Sequence, residues 1–139
     1  DSSNKKIKVV EELCSEIKIS NIKVIHGRAE DLGNSKLHRE KYDLCVAKAV
    51  AKLSVLVEYC LPFVAVGGYL LAYKGPELDN EIEIAQKAID ELGGQIEKIE
   101  KIVIPNFDLD HRILFIKKIK NTPVKYPRKP GTPSSKPIV

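Results

Sequence analysis

Imidazoles, thiols and acids are the side chains most able to do covalent or metal chemistry, and in these 139 residues they do not gather. His26 follows a short apolar run, His38 stands in a polar stretch and His111 precedes the last apolar run. None joins a serine and an acid in a nucleophile pattern, and no two carboxylates are spaced as a glycosidase pair. Cys14, Cys45 and Cys60 match no zinc spacing, so no metal is expected. Each sits among apolar residues, which reads as buried free thiols in a reducing cytoplasm. The chemistry that remains is cationic. No Asp or Glu follows Asp110, while Arg112, Lys117, Lys118, Lys120, Lys125, Arg128, Lys129 and Lys136 do. A basic end of one sign suits either a polyanionic partner or a solubilising disordered tail.

The bulk composition frames these groups. Hydrophobic residues at 43% and charged residues at 30% suit one soluble globular domain. No stretch approaches the roughly 18 apolar residues of a membrane span, and the polar first residues carry no signal-peptide pattern. The chain contains no Met, so it is expected to start inside something longer or to be processed.

Helix and strand patterns alternate. Ile7, Val10, Leu13, Cys14 and Ile17 recur at helical spacing and predict an amphipathic helix over residues 4–19. Residues 22–25 are β-branched and predict a short strand, followed by a loop and a helical turn. Residues 42–47 predict a mostly buried strand, and residues 52–64 a helix that Pro62 bends or ends. Gly67 and Gly68 predict a turn before a strand over residues 69–73. Residues 77–92 predict a helix stopped by Gly93, and residues 95–104 and 112–118 two final strands. Such alternation implies an α/β fold with a mostly parallel sheet, and the two consecutive last strands imply an antiparallel member near the C-terminal edge. Residues 1–120 form the expected partial Rossmann-like domain. Residues 121–139, with five of the eight prolines, form an expected basic, Pro-rich tail without regular structure. The glycine-rich turn that opens such sheets is missing from the pattern, and an upstream segment is expected to supply it.

Four segments carry a resemblance: HGRAED at residues 26–31, KYDLCVAKAVA at 41–51, LAYKG at 71–75 and KYPRKPGTP at 125–133. In order and spacing they resemble the bacterial 16S ribosomal RNA guanine-N7 methyltransferase family, also called glucose-inhibited division protein B. The resemblance covers essentially the whole chain, with the tail motif its most specific part. It implies a class I S-adenosylmethionine-dependent methyltransferase fold, S-adenosyl-L-methionine as cofactor, and 16S ribosomal RNA in the small ribosomal subunit as partner. It further implies a cytoplasmic, monomeric enzyme.

Residue by residue, the resemblance places Asp1 where a carboxylate meets the cofactor's ribose hydroxyls, since a vicinal diol offers two donors to a two-oxygen acceptor. It places Ala29 and Glu30 at the adenine. Lys48 stands where the family usually has Arg, near cofactor or reaction pocket, and keeps the charge without the planar fork. Lys74 ends the next strand, where a cation would meet RNA phosphate or a guanine edge. Lys125, Tyr126, Arg128 and Lys129 of the tail would grip RNA, with Tyr126 as a stacking group. Asp110-His111-Arg112 departs from the family order and takes no role.

The absence of a triad is compatible with this chemistry. Guanine N7 has a free lone pair at neutral pH, so no base must first remove a proton. The enzyme has mainly to align nucleophile, methyl carbon and sulfur and to exclude water. Two other classes stay open on the residues alone. One is a noncatalytic RNA- or ribosome-binding module. The other is a nicotinamide-dinucleotide oxidoreductase, which shares the sheet but would need a hydride-transfer constellation.

Overall fold

The computed structural model describes residues 1–139, apart from the side chains of residues 108 and 109. Its elements are α1 (Asn4–Glu16), α2 (Ala29–Asn34), β1 (Tyr42–Lys48), α3 (Leu53–Cys60), β2 (Val64–Lys74), α4 (Leu78–Glu91), β3 (Gly94–Ile104), β4 (Phe107–Lys118) and α5 (Thr132–Ser135). The four strands form one sheet in the order β1-β2-β4-β3. The core gathers Leu53, Leu56, Val57 and Leu61 around α3, Ala85, Ala88 and Ile89 from α4, and Leu70, Ala72, Leu114 and Ile116 from the sheet. The apolar spacing of α3 and α4 and the period-two alternation of Leu114 and Ile116 create this core, because each element has one stripe to hide from water. Among the described residues no helix is long and apolar enough to cross a membrane.

The expected sheet needs correcting. Only β1 and β2 pair in parallel; β2–β4 and β3–β4 are antiparallel. β3 does run in the same direction as β1 and β2, as its crossover through α4 requires. A two-residue turn, Pro105-Asn106, then sends β4 back, and β4 lies between β2 and β3 rather than at the edge. Three strands therefore share a direction, yet two of the three pairings are antiparallel.

Four other expectations change. Residues 22–25 form no strand here; beside them the Asp1 backbone nitrogen donates to the Ile25 carbonyl at 3.0 Å and the Asp1 carbonyl accepts the Gly27 N–H at 3.0 Å. β1 is largely exposed rather than buried, since it is the sheet's edge. The helix α1 buries only Ile7, leaving Val10, Leu13 and Ile17 open. The glycine pair is not a turn ahead of the strand: β2 runs through it as an irregularity, with Tyr42 opposite Val64 but Leu44 opposite Tyr69. Gly67 takes φ +92°, and a Cβ on Gly68 would lie 2.5 Å from the Asp43 carbonyl oxygen, so both positions demand glycine.

The tail is irregular outside residues 132–135, yet it is not loose. Residues 121–139 pack on the domain: Tyr126 and Ile138 join the core cluster, Thr122 and Pro133 are buried, and residues 132–135 form α5. Prolines limit regular hydrogen bonding but do not prevent packing when side chains elsewhere receive the free carbonyls. Arg39 does this, donating to the carbonyls of Tyr126 at 2.7 Å and Thr122 at 2.7 Å.

Candidate functional site

The carboxyl ends of β1 and β2 lie side by side, with Lys48 opposite Tyr73 and Lys74 opposite Arg112 of β4. In open α/β sheets the crevice outside such strand ends is where ligands bind. Two hollows open here. One, about 450 Å³, is lined by Lys48, Val50, Leu56, Tyr73, Lys74 and His111, with Ile102 and Ile104 of β3 as its far wall. The other, about 370 Å³, is lined by Asp1, Arg28, Ala29, Glu30, Tyr59 and Phe63. Val50 lines both. Thus Asp1, Ala29 and Glu30 share one hollow, Lys48 and Lys74 share its neighbour, and one side chain separates the two groups.

The wall between the hollows is built under strain. Immediately after Lys48 the chain turns at Ala49 with φ 54°, a left-handed conformation that costs a non-glycine residue about 1 kcal/mol. Lys74 helps hold the adjoining turn into α3. Its ammonium donates to the Ala51 carbonyl at 2.9 Å and to Glu81 Oε2 at 2.6 Å, and the same carboxylate oxygen accepts the Leu53 N–H at the start of α3 at 2.5 Å. With 8% of its side chain exposed, Lys74 is committed to this clamp and is not presented to a phosphate, contrary to the sequence expectation. Lys48, by contrast, is exposed and has no hydrogen-bond or ion-pair partner among the described residues.

In the second hollow, Asp1 Oδ1 accepts the Ser3 N–H at 2.8 Å, leaving the other carboxylate oxygen to face outward partners. Glu30 differs from expectation. It is 2% exposed, and its Oε1 accepts Arg28 Nη2 at 2.9 Å and the Gly131 N–H at 3.0 Å. Burial by itself would raise this carboxyl, but those donors outweigh it and hold it below the usual carboxylate range. The Glu30 carboxylate is therefore turned to the tail and already satisfied, while Ala29 remains a lining residue. A nucleoside needs apolar walls and an acceptor for its diol. Leu32, Val50, Tyr59 and Phe63 with Asp1 supply both, so these residues fit an adenosyl group with Glu30 acting as support rather than contact.

The tail residues divide. Tyr126 is 6% exposed, and its hydroxyl donates to Glu91 Oε2 at 2.5 Å, so its ring is not free to stack on a base. Arg128 is spent on Glu58, with Nη2 to Oε2 at 2.6 Å and Nε to Oε1 at 2.9 Å. Lys125 is exposed and lies 3.5 Å from Glu91, and Lys129 is exposed. Of the four tail residues expected to meet RNA, only the two lysines present their charge to solvent.

Several residues that organise the site are not singled out by the sequence pattern as read above. Glu58 is a lone acid in the apolar run Leu53–Cys60, and a carboxylate there must find a cation. Lys118 continues the inward alternation of Leu114 and Ile116; it is fully buried and donates to the Leu61 carbonyl at 2.6 Å and Thr122 Oγ1 at 2.7 Å. Both signals are visible in the periodicity. His111 is exposed and lines the larger hollow; nothing in its local pattern announces the second. Among the described residues no cluster of His, Cys, Asp or Glu has a metal-holding arrangement.

Solved structures share this architecture. The chain is similar to an rRNA methylase from Streptococcus thermophilus, with TM-score 0.59 and 15% identity over 86% of this chain and 71% of that one. It is also similar to M. jannaschii TYW2 in complex with AdoMet, with TM-score 0.61 and 14% identity over 86% of this chain and 56% of that one. These likenesses define the class by fold: an α/β protein of the class I methyltransferase type. The sequence narrows the class further. Residues 1–114 match the family model described as rRNA small subunit methyltransferase G. The ribosomal RNA small subunit methyltransferase G proteins of Alkaliphilus metalliredigens and Clostridium novyi are 53% and 50% identical over 138 and 139 residues, 99% and 100% of this chain. This chain belongs to the rRNA small subunit methyltransferase G family. It spans 58% and 57% of the length of those two relatives.

Proposed function

We propose that this chain is part of an S-adenosylmethionine-dependent enzyme that methylates N7 of a guanine in 16S ribosomal RNA, acting as a monomer in the cytoplasm on the small ribosomal subunit or its RNA. The observation that carries the reading is the pair of hollows meeting at Val50, outside the carboxyl ends of parallel strands, in a chain of this family. One has the walls and the carboxylate suited to an adenosyl group, and the other is an apolar slot with a free cation at its rim.

The bound cofactor supplies an electrophilic methyl group on a sulfonium. Within this chain, Asp1 accepts hydrogen bonds from a ribose diol, and Tyr59, Phe63 and Leu32 enclose the base. On the other side Leu56, Val50, Tyr73, Ile102 and Ile104 exclude water from a guanine, which raises the effective concentration of N7 at the methyl group. Lys48 meets backbone phosphate at the rim, and Lys125 and Lys129 extend that cationic surface. No side chain need take a proton from N7.

Calorimetric titration of the full-length protein with S-adenosylhomocysteine and with NADH tests this. Binding of the first alone is expected. Binding of NADH alone would favour an oxidoreductase, and binding of neither a noncatalytic RNA-binding module. On the RNA side, Lys125→Gln with Lys129→Gln is expected to weaken RNA binding and to reduce the slope of log K against log salt by about 0.7 for each lost phosphate contact.

A further inference from the structure

Two acids on the elements that wall the Asp1 hollow are nearly or wholly withdrawn from water: Glu30 on α2, 2% exposed, and Glu58 on α3, 0% exposed. The tail contributes donors to both. Glu58 Oε1 accepts the Arg128 backbone N–H at 2.8 Å and Nε at 2.9 Å, and Oε2 accepts Nη2 at 2.6 Å. Glu30 accepts the N–H of Gly131, whose φ of +84° aims it there. Just before these links Asn34 of α2 donates to the Pro127 carbonyl at 2.9 Å. Glu30 lines the hollow next to Ala29, and Glu58 is followed by the lining residue Tyr59.

We propose that Arg128 is a positioning residue for the adenosyl hollow: by neutralising Glu58 it fixes the rotation of α3, hence where Tyr59 stands against α2, and its neighbour Gly131 does the same for Ala29 through Glu30. This rests on the assignment of that hollow to the cofactor. The physical reason is the helix period. Successive residues on a helix are about 100° apart, so the face carrying Glu58 cannot turn toward water without turning Tyr59 with it. Once its cation is gone, a carboxylate buried at 0% exposure must take up a proton or turn toward water, because an unpaired buried charge is among the costliest defects a fold can carry, and at neutral pH the turn toward water is the expected outcome. Glu58 then swings outward and the hollow loses a wall. The basic tail motif thereby serves the cofactor side of the site rather than meeting RNA with all of its charges.

The test uses the full-length protein. Arg128→Met is expected to weaken S-adenosylhomocysteine about tenfold by calorimetry, with the loss falling on KM for S-adenosylmethionine rather than on kcat, and with the salt dependence of RNA binding as in wild type. Adding Glu58→Gln removes the stranded charge and should restore the affinity to within about threefold of wild type. Arg128→Lys keeps the charge without the fork, retains the fold and should lose about threefold, which preserves the test if Arg128→Met does not fold. Wild-type S-adenosylhomocysteine affinity in folded Arg128→Met or Arg128→Lys overturns the proposal. So does a salt slope that falls by about one phosphate contact with cofactor affinity intact, which would put Arg128 on RNA. If wild type itself binds no S-adenosylhomocysteine, the assignment of the hollow fails first and this proposal with it, and the wild-type titration tells that case apart.

Discussion

Lys48 and Lys74 end neighbouring parallel strands on the same rim, line the same hollow and carry the same charge, yet their surroundings are opposite. Lys48 stands in solvent without a partner among the described residues. Lys74 is folded inward on Ala51 and Glu81, where it braces the strained turn at Ala49. The difference arises from the helix that each strand leads into. After β2 the chain enters α4, whose first turns bring Glu81 back over the strand end; after β1 it enters a short loop into α3, which brings no acid near Lys48. A cation at a strand tip is thus a binding group or a brace according to the next helix, and its own position in the pattern does not distinguish the two.

The two lysines differ most in what their removal costs, and Lys74 carries the larger effect. Lys74→Met leaves the Glu81 carboxylate without its cation and loosens the turn, and is expected to destabilise the protein by about 2–3 kcal/mol in urea denaturation. A variant as stable as wild type but defective in RNA binding would invert the roles assigned to the two lysines. Lys48→Gln is expected to behave in the opposite way. Its stability should stay within about 0.5 kcal/mol of wild type, while RNA affinity of the full-length protein falls about fivefold and the log-salt slope by about 0.7.

The smallest effect extends the contrast to acids. Glu30 and Glu40 have carboxyls held below the usual range; burial works against this, but Arg28 and the Gly131 N–H for Glu30, and Asn121, Thr122 and Lys118 for Glu40, outweigh it. Between the folded and unfolded values the unfolded chain binds more protons. The stability these acids contribute is therefore present above the usual carboxylate range and drains away as pH falls through the lower, folded values. Glu30→Gln should flatten that acid limb by less than the ~1.4 kcal/mol per pH unit of one fully linked proton, as read from unfolding midpoints between about pH 5 and 3. An unchanged limb would mean that the Gly131–Glu30 link contributes nothing to holding the tail.

Most elements were legible from periodicity. The spacing of Leu53, Leu56 and Val57, the alternation in β4 and the stop at Gly93 each mark an element whose apolar stripe must be covered, and these boundaries hold to within a few residues, apart from the start of β4, which like that of β2 comes five residues earlier than expected. Strand order was not legible, because the hairpin turn at Pro105-Asn106 dictates only that β3 and β4 are neighbours, not which of them meets β2. Lys48, Ala29 and Asp1, singled out in the sequence, line two adjoining hollows in the structure, but the division of labour among the charged residues was not legible. Tyr126 and Arg128 looked like an RNA-gripping pair because their motif is basic and aromatic; they are anchors because Glu91 and Glu58, far away in sequence, stand beneath them.

The chain on its own therefore determined whatever depends on near neighbours: helix faces, most strand runs, and a charge distribution with no acid beyond Asp110. Every pairing between elements waited for the tertiary structure: β4 between β2 and β3, Lys74 on Glu81, and the tail laid against α2 and α3. The reason is electrostatic as much as geometric. A charge in sequence has only a sign, and whether it is spent inside the fold or left for a partner depends on which opposite charge the packed elements bring within about 3 Å.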